Sequence, residues 1–328
     1  MCYALDKDKP LKKNENRFNF NLKPKSLSEY VGAENIKKII NISISAVKKS
    51  NITLGHILIM GQRGTGKTTL AELICKELHA TPRIIGAGAI KTIADLNSLM
   101  LFGIPDDGYG FLIIDEIHNL PVQISDLLHS AMDEFTYSYS DAHHNIKNID
   151  TPRFSILGCT TEEGKLSSPF RSRFRKQFFL EPYTPLQLQS MIMAVAKNNK
   201  ISIDSDAAYE IAIRSQNIPR NAIVVNLLNV YEFALQTDGK INSDVVSACM
   251  DLHQIDERGL SQQHRLILKS LDSKPLGIQN IAQRTGISET SILKDYEPYL
   301  IQIGFIERIP VRGRILTELG RKYKNSII

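Results

Sequence analysis

Between about residues 54 and 180 the chain alternates short, wholly apolar runs with runs spaced for a helix. "HILIM" (56–60), "GFLIID" (110–115) and "FSILGCT" (154–160) have no polar face, as expected of strands covered on both sides. "TLAELICKEL" (69–78) instead gathers Leu70, Leu73, Ile74 and Leu78 on one side of a helix. Such alternation predicts a parallel sheet between helical layers. After "FFLEPYTPLQLQ" the period turns helical throughout. Thr184, Pro185 and Gln187 supply a cap, a first-turn proline and a capping-box partner. "SDAAYEIAIRSQ" and "PRNAIVVNLLNVYEFALQ" follow as helices, the second with Ile223, Val224, Leu227, Leu228 and Tyr231 on one stripe. From residue 256 three helical runs, "SQQHRLILKSL", "GIQNIAQRTG" and "SETSILKDYEPYL", precede a strand–turn–strand pattern in "GFIERIPVRGRILTELG". That is the order of a winged helix. The expected organisation is therefore a flexible basic arm over 1–17, a large α/β domain over 18–182, a small all-α domain over 183–255 and a winged helix over 256–328.

Composition narrows this picture. At 328 residues, with 42% hydrophobic and 23% charged residues, the chain has the profile of a soluble globular protein. No apolar run approaches the roughly 20 residues of a membrane helix, and the polar start predicts no signal peptide, so a cytoplasmic protein without a membrane partner is expected. Cys2, Cys75, Cys159 and Cys249 are scattered and read as buried free thiols. The net charge of +5 is uneven: residues 256–328 carry 12 Lys/Arg against 8 Asp/Glu, which fits a polyanionic partner and equally a solvated surface.

"GQRGTGKT" (61–68) brings the chemistry. It matches G-x-x-x-x-G-K-[ST], follows a strand and opens a helix, which is the context a phosphate-binding loop requires. Gly61, Gly64 and Gly66 let the backbone, with Thr65 among them, turn its N–H groups toward phosphates, and the helix start adds its dipole. Lys67 reaches the outer phosphates, and the Thr68 hydroxyl suits Mg²⁺. Asp115, ending an apolar strand, completes the metal site, and Glu116 next to it suits a general base for hydrolysis. Thr161, with Thr160 as second choice, ends the third strand where a hydroxyl can touch the outermost phosphate or its attacking water. The same stretch reads equally as a turn cap. His118 and the pair His143–His144 read as structural or loop residues rather than metal ligands. Arg220 follows Pro219 in a first helical turn, where a cation opposes the helix dipole; this suggests an anionic ligand, and a surface arginine is the plain alternative.

The order of these motifs resembles the AAA+ ATPases and, within them, the RuvB family of Holliday-junction branch-migration motors. The stretches that carry the likeness are "LKPKSLSEYVGAENIK" (22–37), "GKTTLAELI" (66–74), "IIDEIHNL" (113–120), "GCTTEEGKLSSPFRSRF" (158–174) and "YEPYLIQIGFIERIPVRGR" (296–314). The resemblance implies an AAA+ P-loop domain with a parallel sheet, a helical lid and a winged helix. It also implies ATP and Mg²⁺ as cofactors, a hexameric ring around double-stranded or branched DNA, and a junction-binding partner of RuvA type. By position, Leu22 and Lys23 fall at the adenine pocket, Gly64, Lys67, Thr68 and Thr69 at phosphates and Mg²⁺, and Tyr183 between the two ATPase lobes. Arg220 becomes a sensor of the terminal phosphate, Arg173 an arginine finger, and Arg308, Arg312 and Arg314 wing contacts to DNA. Arg171 is expected to support the finger or bind the same phosphate, and Arg175 and Lys176 to stay solvated.

The chain also departs from the family pattern. Gln62, Arg63 and Thr65 replace neutral or apolar loop residues, Glu162 stands where an arginine usually follows the two threonines, and Lys23 replaces an arginine. Residues 135–150 are more polar than the apolar-tipped hairpin that docks RuvA. An AAA+ loader that uses ATP to switch protein partners, such as a clamp or helicase loader, is the alternative function.

Overall fold

A computed structural model describes residues 20–50, 53–103, 110–141, 143–272 and 274–326. The expected arm at 1–17 and Cys2 lie outside these residues. Five strands form one parallel sheet: β1 (Ile57–Gly61), β2 (Arg83–Gly86), β3 (Gly110–Asp115), β6 (Phe154–Thr160) and β7 (Lys176–Leu180), in the spatial order β2-β3-β6-β1-β7. The remaining pair, β4 (Thr136–Ser140) and β5 (Ile146–Asp150), makes a separate antiparallel hairpin. β1 and β6 are buried along their whole length, which is why their sequences show no polar face. The sheet separates two apolar cores. Leu58, Leu112, Ile114 and Ile156 face one; Ile57, Ile59, Ile113 and Leu157 face the other, with Leu70, Leu73 and Ile74 of the helix Lys67–Glu77.

The two edge strands escaped the sequence reading. β7 was hidden inside the basic stretch "SSPFRSRFRKQFF". The stretch folds as a short helix, Ser168–Ser172, followed by β7, which places Leu180 opposite Gly61. Phe178 and Leu180 turn inward and Phe179 outward, the period-2 signal of an edge strand. Lys176 is also not solvated as expected. Its ammonium, half-buried, donates to Leu54 O at 3.2 Å, because the strand carries its stem across the sheet edge. Arg175 is exposed.

Residues 183–250 enclose their own core around Leu188, Ile192, Ile211, Leu227 and Val230. Thr184 and Gln187 form the expected capping box. The block is not purely helical, since Ser202–Ile203 and Lys240–Ile241 make a short parallel pair. The helix that begins at Pro219 winds as a π-helix over Asn221–Leu227 before becoming α-helical over Leu228–Ala234. The wider winding rotates the apolar stripe: Val224 is exposed rather than packed, and Asn226 is buried, donating to Ser215 Oγ at 2.9 Å.

The last block has a third centre of packing around Leu268, Ile281, Ile292, Leu300, Phe305 and Ile306. Helices Gln262–Ser270 and Ile278–Thr285, then a helix over 289–302 with a π turn at Ile292–Tyr296, lead into the hairpin Ile306–Ile309 and Gly313–Leu316. Leu276 pairs with Arg314 as a short third strand, and an unforeseen helix, Glu318–Ser326, closes the domain. Cys75, Cys159 and Cys249 are buried free thiols. Among the described residues no helix is long and apolar enough to cross a membrane.

Candidate functional site

The loop between β1 and the helix Lys67–Glu77 needs its glycines for two reasons. Gly64 and Gly66 have φ of 81° and 96°, a region side chains rarely adopt. There is also no room for a Cβ. One on Gly64 would lie 2.8 Å from Ile218 Cγ2, and one on Gly66 3.0 Å from the Tyr30 hydroxyl. The buried Thr65 hydroxyl donates to Gln62 O at 2.8 Å and braces the loop. Lys67 is buried, and its ammonium donates to Gly61 O (3.0 Å) and Gln62 O (2.8 Å). Burial pushes its pKa down; Glu116, Cys159 and Asp115 pull it up, and Arg220 pushes it down further. Two cations thus bear on one concave loop whose helix start is itself electropositive. An anion between them would relieve both, so the residues fit a nucleotide's phosphates.

Thr68 and Thr69 lie in the first turn of that helix, and the Thr68 hydroxyl meets the buried Cys159 thiol, whose pKa burial raises to about 12. Asp115 ends β3, and its Oδ1 accepts the Glu116 N–H at 3.1 Å. Glu116 itself is left-handed, with φ 49° and ψ 47°. A side chain there is uncommon, and such strain gathers at functional sites. The turn aims its carboxylate at the end of β6, where the Thr161 hydroxyl donates to Oε2 at 2.9 Å. Thr161 is therefore a partner of Glu116 rather than a turn cap. His118 joins this group: its Nδ1 lies 2.9 Å from Thr160 Oγ1 and 3.4 Å from Glu116 Oε2, and its Nε2 3.5 Å from Glu162 Oε1. Lys165 first and Lys294 second hold the Glu162 carboxyl down to about 2. Among the described residues no group of three His, Cys, Asp or Glu side chains is placed to hold a metal ion.

The lid is tied directly to the phosphate loop. Arg220 N–H donates to Gly64 O at 3.3 Å, and the Arg220 side chain is exposed beside the loop. Tyr183 is buried and donates its hydroxyl to the Tyr30 hydroxyl at 3.1 Å, and Tyr30 reaches Thr65 O at 3.5 Å. Tyr30 escaped the sequence reading because nothing local marks it. Burial and Tyr183 push its pKa well above the usual phenol range. Leu22 packs against the lid core, and Lys23 pairs with Glu72 of the helix Lys67–Glu77 at 2.9 Å.

Two further groups lie apart from the phosphate loop. Arg173 forms an ion pair with Asp133 at 2.9 Å, while Arg171 Nε donates to Gln177 Oε1 at 3.0 Å. In the wing, Arg308 and Arg314 converge on Glu297, whose side chain is 0% exposed. Arg314 binds it through both Nε (3.0 Å) and Nη2 (3.2 Å). At the turn, Val311, with φ 66°, is fully exposed and Arg312 is exposed, and Arg312 N–H closes the turn on Ile309 O at 3.1 Å.

A strand, a glycine-hinged phosphate loop with a buried lysine, an Asp-Glu pair on a neighbouring strand and a helical lid together define a P-loop ATPase of AAA+ architecture, here with a winged helix attached. The description "Holliday junction DNA helicase RuvB P-loop domain" matches residues 22–180, and "RuvB C-terminal winged helix domain" matches 257–325. The chain is 35% identical over 325 residues to the Holliday junction branch migration complex subunit RuvB of Leuconostoc mesenteroides, covering 96% of this chain and 91% of that one. It is 37% identical over 313 residues to that of Fervidobacterium nodosum, covering 93% and 88%. The solved Thermotoga maritima RuvB branch migration motor superimposes with a TM-score of 0.81 at 34% identity, covering 93% of this chain and 98% of that one. The chain belongs to the RuvB family. The Aeropyrum pernix ORC2 protein shares the fold at 14% identity and a TM-score of 0.57.

Proposed function

We propose that this chain is a RuvB-type motor, which hydrolyses ATP within a hexameric ring to move duplex DNA and migrate Holliday junctions. The observation that carries this reading is one chain in which Lys67, Asp115, Glu116 and Thr161 line one site and a winged helix follows, in a RuvB-family sequence matched over nearly its whole length. Gly61, Gly64, Thr65 and Gly66 supply backbone N–H groups to the phosphates, and Lys67 and Arg220 supply charge from the two lobes. Thr68 and Asp115 would hold Mg²⁺, which when bound neutralises charge on the outer phosphates. Thr161 holds the Glu116 carboxylate through Oε2, placing it to take the proton from the attacking water. Tyr183 and Tyr30 fix the lid angle, and Leu22 and Lys23 border the base. Arg173 serves the neighbouring subunit's nucleotide once it leaves Asp133. In the wing, Arg312 offers a free guanidinium to phosphate, and Arg308 an exposed edge.

A second reading, a loader acting on protein partners, draws on the β4–β5 hairpin. Beside its tip Asp141 accepts from the N–H groups of His143 (2.8 Å) and Asn145 (2.9 Å), polar groups next to the exposed Ile146, where the family's RuvA-docking hairpin has an apolar tip. The two readings separate in one set of assays. A motor shows ATPase stimulated by four-way DNA and migrates junctions with a RuvA-type protein; a loader instead forms an ATP-dependent complex with a sliding clamp or replicative helicase. Glu116→Gln should bind ATP, trap the ring and lose about 10²–10⁴-fold in kcat. Normal turnover in that variant removes Glu116 from the reaction.

A further inference from the structure

Glu162 occupies the place of the family's arginine and joins two parts of the chain. Its Oε1 lies 3.0 Å from Lys294 Nζ and 3.5 Å from His118 Nε2, and its Oε2 lies 2.8 Å from Lys165 Nζ. Lys294 belongs to the helix over 289–302, the second helix of the helix-turn-helix pair in the winged-helix block and so the one such folds present to DNA. His118 touches both Thr160 and Glu116. A single carboxylate oxygen is therefore shared by a cation of the winged helix and an imidazole beside the general base.

The sharing matters because a neutral imidazole has one N–H and one lone pair. With the proton on Nε2, His118 donates toward Glu162, and Nδ1 accepts from the Thr160 hydroxyl. Glu116 then keeps only its bond from Thr161. With the proton on Nδ1, the donor falls between Thr160 and Glu116 and ties up the base. A carboxylate at Nε2 selects the first tautomer. An ammonium on the same oxygen weakens that selection by taking up part of its charge.

We propose that Glu162 is a positioning residue for Glu116, acting through His118, and that Lys294 restrains it, so that docking of the 289–302 helix on DNA phosphates frees the carboxylate and raises hydrolysis. This rests on the motor reading above. The Lys294–Glu162 pair is half-exposed, with side chains 56% and 31% accessible. Ion pairs of this kind are individually weak and yield readily to a competing phosphate. An arginine at position 162 could neither accept from His118 nor pair with Lys294, so the device belongs to this chain's departure from the family pattern.

The test is steady-state ATPase of the full chain, with and without saturating duplex DNA, for wild type, Lys294→Ala, Glu162→Ala and the double variant. Lys294→Ala should raise the DNA-free kcat about five-fold or more, remove most of the stimulation by DNA and leave the KM for ATP unchanged, while Lys294→Arg restores the restraint. Glu162→Ala should lower the DNA-free kcat, and adding Lys294→Ala to it should change nothing further. Glu162→Leu, which has no acceptor, gives the same pattern should the alanine variant fold poorly. Full stimulation in Lys294→Ala, or an undiminished Lys294→Ala effect in the Glu162→Ala background, overturns the proposal alone. A wild type that DNA does not stimulate removes the motor reading and this inference with it.

Discussion

Arg314 and Arg173 are both paired with carboxylates, and the two pairings have opposite character. Arg314 makes two directed bonds to Glu297, a carboxylate wholly withdrawn from water and shared with Arg308. Arg173 approaches Asp133 at 2.9 Å without a well-directed hydrogen bond, and both side chains are about 40% accessible. A buried carboxylate cannot be left without its cations, so Arg314 is built into the fold. The exposed pair holds its arginine loosely, which is what the proposed finger role requires. Position in sequence does not reveal this difference; the depth of the partner carboxylate does.

The largest expected effect is on the loosely held arginine. Arg173→Ala should leave ATP binding by the isolated subunit intact and lower ring turnover by about 10³-fold. Mixing it with Lys67→Ala subunits should recover part of the activity, because each supplies what the other lacks; no recovery would place Arg173 back on Asp133 as a surface residue. Next is the buried carboxylate. Glu297→Ala strands the largely buried Arg314 guanidinium and should destabilise the winged helix by about 3 kcal/mol, seen in a thermal melt. Arg312→Ala should leave the melt alone and reduce the salt dependence of DNA binding by about one unit of log–log slope. If the melt responds to Arg312 and not to Glu297, the contrast between built-in and free arginines is wrong.

A smaller effect concerns pH. His264 is buried against Tyr296 and Tyr299, and burial pushes its pKa down to about 4. The unfolded chain takes up this proton near the ordinary value of about 6.5, the folded chain only near 4. Stability of the winged helix is therefore full above about pH 6.5 and should fall by about 3 kcal/mol as pH drops to about 4. His264→Gln should flatten that part of the profile in denaturant titrations. The smallest effect is Asp133→Ala, expected to change stability by less than about 1 kcal/mol. A larger loss would make the Asp133–Arg173 pair structural.

The phosphate loop was legible because its chemistry is contiguous: eight residues carry the glycines, the lysine and the threonine. β1, β3 and β6 were legible for a similar reason, each being apolar on both faces. β2 and β7 were not: β2 is short and exposed at Arg83, Ile84 and Gly86, and β7 alternates buried and exposed residues among arginines. The missed site residues, Tyr30 and Lys294, share another cause. Tyr30 and Tyr183 are 153 positions apart, and Glu162 and Lys294 132 apart, so only the folded chain brings them together. The π winding at Asn221–Leu227 shows neither a glycine nor a proline within it, and it moved Val224 off the stripe that a regular helix predicts.

One feature of the loop reaches beyond its own site. Gly64 fits against Ile218 and Arg220 with less clearance than a single methyl group. The angle between the two lobes is thus gauged at that contact, by a hydrogen atom. In a closed ring every subunit repeats the same angle, and errors add around the circle until the last interface fails to meet the first. The smallest residue in the chain would then act as the spacer that decides whether the assembly closes or spirals.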